Sequence, residues 1–258
     1  MKPIPLPRII MPVSTQTPNG GTFWSNQTVP HNSWIGLCEH QILDCWTNNC
    51  MNLTEEKIKD CPLVIDLGAS AGAFSLFAAS LNPNVKVLSV EPQYNNFSML
   101  VKNIRENDLE GRVFPLNVGI FETKMRSYII DNITGSWIRP DKPRPDWDGI
   151  RSVDLITLND LFEKYEIDRC GFMKVDIEGC ELDAFKGTSK ETMNKIDYIS
   201  IEQHYSKKTE EYTKREGVSM PVKLDLLMTK LSETHTLTWN TGTLVECIKI
   251  GLNKGDLK

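Results

Sequence analysis

From residue 63 onward, short β-branched runs alternate with stretches of helical periodicity, the pattern of a parallel sheet wrapped by helices. It predicts strands over 63–67, 85–90, 112–118, 171–176 and 197–202, with helices over 73–81, 95–106, 158–165 and 179–186. Thr157 opens the third of these helices with Asp160 three residues on, close to capping-box spacing. Runs at 124–130 and 150–156 read as an insertion between the third and fourth core strands. Between them lies GSWIRPDKPRPDWDG, residues 135–149, where prolines exclude regular structure and two tryptophans sit among charges. That segment reads either as a solvated loop or as a lid that stacks aromatic faces on a ligand.

The ends of the chain read differently. Residues 1 to about 30 are rich in Pro, Thr, Asn and Gly and predict an irregular arm. Trp34, Leu37, Cys38, Ile42, Cys45 and Trp46 then recur near helical spacing, which predicts an amphipathic helix that either packs on the core or caps a substrate. After residue 204, a helix with Pro221 in its first turn carries Leu224, Leu227, Met228 and Leu231 on one face. HTLTWNTGTLVECIKI follows as two alternating strands around Asn240-Thr241-Gly242. The fold class is therefore α/β and Rossmann-like: a mostly parallel seven-stranded sheet with a C-terminal antiparallel hairpin, the class I methyltransferase variant. Residues 1–60 form an arm and helix, and 61–258 one domain with an insertion or lid at about 124–150.

Composition narrows the partners. The 258 residues carry 40% hydrophobic content, enough for one full core, and a net charge of −5. That balance argues against a nucleic-acid partner, whose phosphates call for a clustered basic surface. Prolines break the apolar run at the N-terminus and no stretch reaches the length of a membrane span, so the expectation is a soluble, cytoplasmic protein. Seven cysteines without a CxxC pair read as reduced thiols, mostly core.

VIDLGASAGAFS, residues 64–75, carries the most informative spacing. A strand, then Gly68-Ala69-Ser70-Ala71-Gly72, then a helix presents backbone N–H groups at a helix N-terminus. Neither the dinucleotide spacing G-x-G-x-x-G nor a phosphate loop with its lysine is present. A donor without phosphate, bearing a sulfonium, suits the turn: Asp66 for its cationic amino-acid end, Gly68, Ala69, Ser70 and Gly72 for close backbone approach, and Glu91-Pro92 about 20 residues on for the ribose. Together these positions suit S-adenosylmethionine. Asn117 at the end of the third strand is a candidate for the adenine side, and Phe74 is either a cofactor contact or core.

With these residues in hand, the chain resembles the FkbM-type family of S-adenosylmethionine-dependent methyltransferases. The resemblance runs over about 62–204 and rests on VIDLGASAGAFS, on VEPQYNNFSMLVKNIREN, and on LITLNDLF followed by FMKVDIEGCELDAFKG. Departures from the family pattern are Ser70 and Ala71, where Asn then Ile or Val is common, and Asn159, where Asp is more usual. The resemblance implies glycans and hydroxylated natural products as acceptors.

At the reacting end, strand alternation sends Lys174 and Asp176 to one side, with Asp176 at the strand's carboxyl end. Glu178 and Glu181 follow at helical spacing, as helix-dipole or functional acids. YISIEQHY places Glu202 and His204 on one face at the end of the next strand. Two mechanisms stand: His204 as a base of near-ordinary pKa with Asp176 orienting it and Lys174 alongside, or a divalent ion, magnesium by its oxygen ligands, held by Asp176 and Glu202. The expected activity is O-methylation of a sugar or glycan, such as a deoxyhexose like rhamnose, and the irregular arm leaves open a place in a larger glycan-building assembly. A non-sugar natural product, a nucleic-acid substrate and a non-catalytic nucleotide-binding module are the alternatives.

Overall fold

The computed structural model describes residues 9–29, 37–130, 138–139, 150–204, 220–239 and 244–252. The possible lid at 135–149 lies almost wholly outside them, as does the tip of the C-terminal hairpin.

The central sheet contains β3 (Leu63–Leu67), β4 (Lys86–Val90), β5 (Val113–Leu116), β10 (Cys170–Val175), β11 (Ile196–Glu202), β12 (His235–Trp239) and β13 (Leu244–Lys249). Their order is β12-β13-β11-β10-β3-β4-β5. Four of the six pairings are parallel, and β13 runs antiparallel to both its neighbours β11 and β12. The strand order reverses between β3 and β10, so the crevice at their carboxyl ends is where ligands of such sheets bind.

Helices α3 (Ala73–Leu81) and α4 (Tyr94–Glu106) cover one face, against Val64, Val87, Phe172 and Tyr198. On the other face, α5 (Leu158–Lys164), α6 (Glu181–Lys186) and α8 (Met220–Ser232) pack on Ile65, Leu67, Met173, Val175, Ile199 and Ile201. A further helix, α7 (Lys190–Met193), leads into β11. Thr157 and Asp160 form the expected capping box at the start of α5. The insertion is a separate four-stranded sheet in the order β6-β9-β7-β8, from Gly119–Ile120, Ile150–Ile156, Met125–Ile130 and Ile138–Arg139. No helix among the described residues is long and apolar enough to cross a membrane.

Register runs a buried polar row through this apolar sheet. Ser89 pairs with Asp66, Asp66 with Lys174, Lys174 with Ser200 and Ser200 with Glu246. All point to the α3 side, because every step across the sheet keeps the same parity. The row ends at Glu246, whose carboxylate accepts from Lys57 at 2.9 Å; Lys57 belongs to α2 (Glu55–Ile58).

The irregular arm expected at the N-terminus is instead an antiparallel hairpin, β1 (Ile9–Gln16) with β2 (Thr22–Val29). Composition misleads here because the hairpin's order comes from α4, not from its own propensity. Asn107 accepts from Thr22 N and donates to Thr22 O, mimicking a neighbouring strand. Asn103, with no exposed surface, does the same for Trp24 and also donates to Ala71 O at 2.7 Å. The predicted helix follows as α1 (Leu37–Ile42), continuing into a π-helical turn at Leu43–Thr47.

Asn103→Ala removes partners from three backbone groups at a buried site, and should lower stability by about 2–3 kcal/mol, read as the shift of the urea unfolding midpoint.

Candidate active site

β3 stops at Leu67 because the next five residues must reverse direction before α3 begins. Gly68, Ser70 and Gly72 all adopt positive φ, at 78°, 50° and 95°. A Cβ at Gly68 would run into the carbonyl oxygen of Asp176, and one at Gly72 would come within 2.6 Å of Leu100 Cδ1. Glycine is required at both positions by space as well as by φ. Ser70 holds a conformation that short polar residues tolerate, consistent with Asn in its family pattern. The N–H groups of Gly68 and Ala69 both donate to Val90 O at 3.0 Å, locking the loop to the end of β4.

Glu91 completes this loop. Only 5% exposed, it accepts from Ser70 N and from Gln93 N, each at 2.8 Å. Burial pushes its pKa up to about 7, against both N–H donors, which favour the anion. Asn117 donates to Glu91 O and Pro92 O at 2.9 and 3.1 Å, so it braces the same strand end. A carboxylate held this way at the switch point fits the hydroxyls of a ribose, and the glycine loop fits a ligand without phosphate.

Asp66 and Phe74 sit deeper. Asp66 has no exposed surface: it accepts from Ser75 Oγ at 2.6 Å, and its other oxygen lies 3.1 Å from Lys174 Nζ. Phe74 is buried against Phe77 and Phe172, 6.4 and 6.2 Å between ring centres. Lys174, 5% exposed, donates to Gly68 O at 2.7 Å and stands 3.5 Å from Asp176 Oδ2. Burial works to lower its pKa, but the charges of Asp66 and Asp176 outweigh that and hold it above the ordinary lysine value. It links the glycine loop to the end of β10.

Asp176, Glu202 and His204 meet as the sequence spacing predicts, with one ligating atom from each within 4.8 Å of the others. Glu181, which the sequence left open as a helix-dipole or a functional acid, joins them. Fully buried, it accepts from Gly179 N at 3.0 Å and holds His204 Nδ1 at 2.8 Å. His204 Nε2 then faces Asp176 and Glu178, 3.7 Å from an oxygen of each. Glu178 and Gly179 have successive positive φ, 53° and 96°, which swings the Glu178 side chain back over the strand end. A sequence signal for Glu181 existed in its place one helical step past Glu178, but its partner comes from β11.

The expectation of a histidine near its ordinary pKa does not hold. Burial works to lower it, yet the Glu181 hydrogen bond and the charges of Glu181, Asp176 and Glu178 push it up to about 9. Burial and nearby carboxylates also raise Glu178 and Glu202, with His204 pulling the other way. Because His204 is raised in the folded state, its stabilising contribution is complete below about 6.5 and is lost as pH rises through about 9. Thermal melts between pH 6.5 and 9.5 should show wild-type stability falling more steeply than that of His204→Gln. Lys174→Met should cost about 3–5 kcal/mol by leaving Asp66 uncompensated, and adding Asp66→Asn should recover much of that loss in the same denaturation assay.

Residues 66–233, well over half of the chain, match the family described as Methyltransferase FkbM domain. Methyltransferase sdnD of Sordaria araneosa is 24% identical over 199 residues, covering 65% of this chain and 76% of that protein. Hexuronic acid methyltransferase AglP of Haloferax volcanii is 22% identical over 183 residues, covering 70% and 71%. A solved structure of methyltransferase FkbM from Methylobacillus flagellatus has 20% identity and a TM-score of 0.47, covering 71% of this chain and 42% of that one. The chain thus spans less than half the length of that solved relative. The glycine loop, Glu91 and the His204 cluster all fall inside the matched span, and the chain belongs to the FkbM-type family of S-adenosylmethionine-dependent methyltransferases.

Proposed function

We propose that the protein methylates a hydroxyl oxygen of a sugar or glycan. The observation that carries this reading is His204: Glu181 fixes its Nδ1, so Nε2 is aimed at the Asp176 side of the crevice, next to the loop at Gly68.

When bound, S-adenosylmethionine supplies an electrophilic methyl group on sulfur. The chain's residues have three tasks: hold the acceptor oxygen in line, exclude water and remove one proton. Glu91 and the glycine loop set the donor's place, and Lys174 ties that loop to Asp176. Asp176 and Glu178 accept hydrogen bonds from acceptor hydroxyls and orient them. His204 takes the hydroxyl proton on Nε2, while Glu181 stabilises the imidazolium that forms, in the manner of a buried carboxylate behind a catalytic histidine. The relative named for hexuronic acid supports a sugar acceptor. A surplus of carboxylates around His204 favours a neutral polyol, so a deoxyhexose such as rhamnose is a fitting first acceptor to try.

The grouping of Asp176, Glu202 and His204 supports a second reading, in which Asp176 and Glu202 would hold a divalent cation such as magnesium, which would lower the pKa of the acceptor hydroxyl. The described residues ahead of the sheet, 9–29 and 37–58, serve in either case as a cap on the substrate side.

Methyl transfer to an oligosaccharide panel, with and without chelator, separates these readings. With His204 as base, kcat/KM climbs toward pH 9, survives chelation, and falls about 100-fold or more in His204→Gln with donor affinity retained. Full activity of His204→Gln rejects the base, and loss on chelation with recovery by magnesium selects the cation.

A further inference from the structure

The donor reading leaves one end of the ligand without an obvious partner. A donor with its ribose at Glu91 and its methyl directed at His204 would bring its amino-acid end toward Gly68–Ser70. Asp66 lies beneath that loop with no exposed surface, its oxygens engaged by Ser75 and Lys174. An ammonium and a carboxylate arriving there need polar groups from another direction.

Gln41 comes from that direction. It belongs to α1, outside the span 66–233 that matches the family. Its Nε2 lies 3.3 Å from Ser70 Oγ, on the left-handed residue at the middle of the donor loop. Its Oε1 is buried and has no hydrogen-bond partner among the described residues. Leaving a buried carbonyl acceptor unpaired costs about 1–3 kcal/mol, so such a group at a ligand crevice marks a place where a donor group binds. The helix cannot readily turn this amide elsewhere: its π-helical continuation sets Trp46 edge-on against Phe77 of α3, 5.5 Å between ring centres. Asn103 also holds the loop, through Ala71 O, and joins it to β2.

We propose that Gln41 binds the amino-acid end of the S-adenosylmethionine donor, its Oε1 accepting from the α-ammonium while Nε2 stays on Ser70. A carboxamide offers both an acceptor and a donor, which matches a zwitterion and gives nothing special to an adenosine. This inference rests on the donor reading above, and it makes the segment ahead of the sheet part of the cofactor site.

The test is calorimetry of the full chain with S-adenosylhomocysteine and with 5′-methylthioadenosine, which keeps the nucleoside and thioether but lacks the amino acid. Gln41→Ala should weaken S-adenosylhomocysteine roughly tenfold or more, the value of a hydrogen bond to a charged group, and leave 5′-methylthioadenosine within about twofold. Gln41→Glu, which keeps an acceptor for the ammonium, should bind S-adenosylhomocysteine better than Gln41→Ala. Unchanged binding of both ligands by Gln41→Ala overturns the proposal. Equal weakening of both also overturns it, since Gln41 would then only shape the loop. If wild type binds neither ligand, the donor reading itself fails, an outcome distinct from either of these.

Discussion

The ammonium of Lys174 is the interaction on which the rest of the site depends. Three elements converge on it: Asp66 from β3, the Gly68 carbonyl from the donor loop and Asp176 from the end of β10. A buried lysine without partners would give up its proton, but two carboxylates hold this one charged. The same charge lets Asp66 sit at full burial and keeps the loop's carbonyl turned downward. The loop's N–H groups are then free to follow the end of β4. Strand pairing places Lys174 directly opposite Asp66, so the ion pair follows from register and not from chance proximity.

Around that cation the two ends of the site have different electrostatics. The glycine-loop end presents backbone groups and one carboxylate, Glu91, whose burial pushes its pKa up to about 7. The acceptor end gathers Asp176, Glu178, Glu181 and Glu202 around one histidine, and the cost of crowding acids is met by raising His204. A strong base results, one that needs deprotonation before it can act. Glu181, like Asp66, is a fully buried carboxylate paired with a basic side chain, His204 in one case and Lys174 in the other.

The segments ahead of the sheet are tied to this machinery through α4 and the donor loop. Asn103 and Asn107 act as a substitute strand for β2, and Asn103 also reaches Ala71. Gln41 touches Ser70 and Lys57 reaches Glu246 at the far end of the polar row. Side-chain amides make all of these links but the Lys57–Glu246 ion pair, because each amide carries a donor and an acceptor, as a peptide group does.

The sequence by itself determined the alternation of strands and helices, the glycine turn, the acid after the second strand and the meeting of Asp176 with His204. Those features repeat at short range, through strand parity, helical spacing and positive φ, so local patterning suffices to reveal them. Only the tertiary structure decided that Asp66 is a buried counter-ion, that Glu181 grips His204, that the histidine is strongly basic, and that residues 9–29 are ordered as a hairpin. Each of these depends on partners far away along the chain, brought close by sheet register and helix packing. A pKa or a hydrogen bond is a property of that assembled environment, which no stretch of residues carries alone.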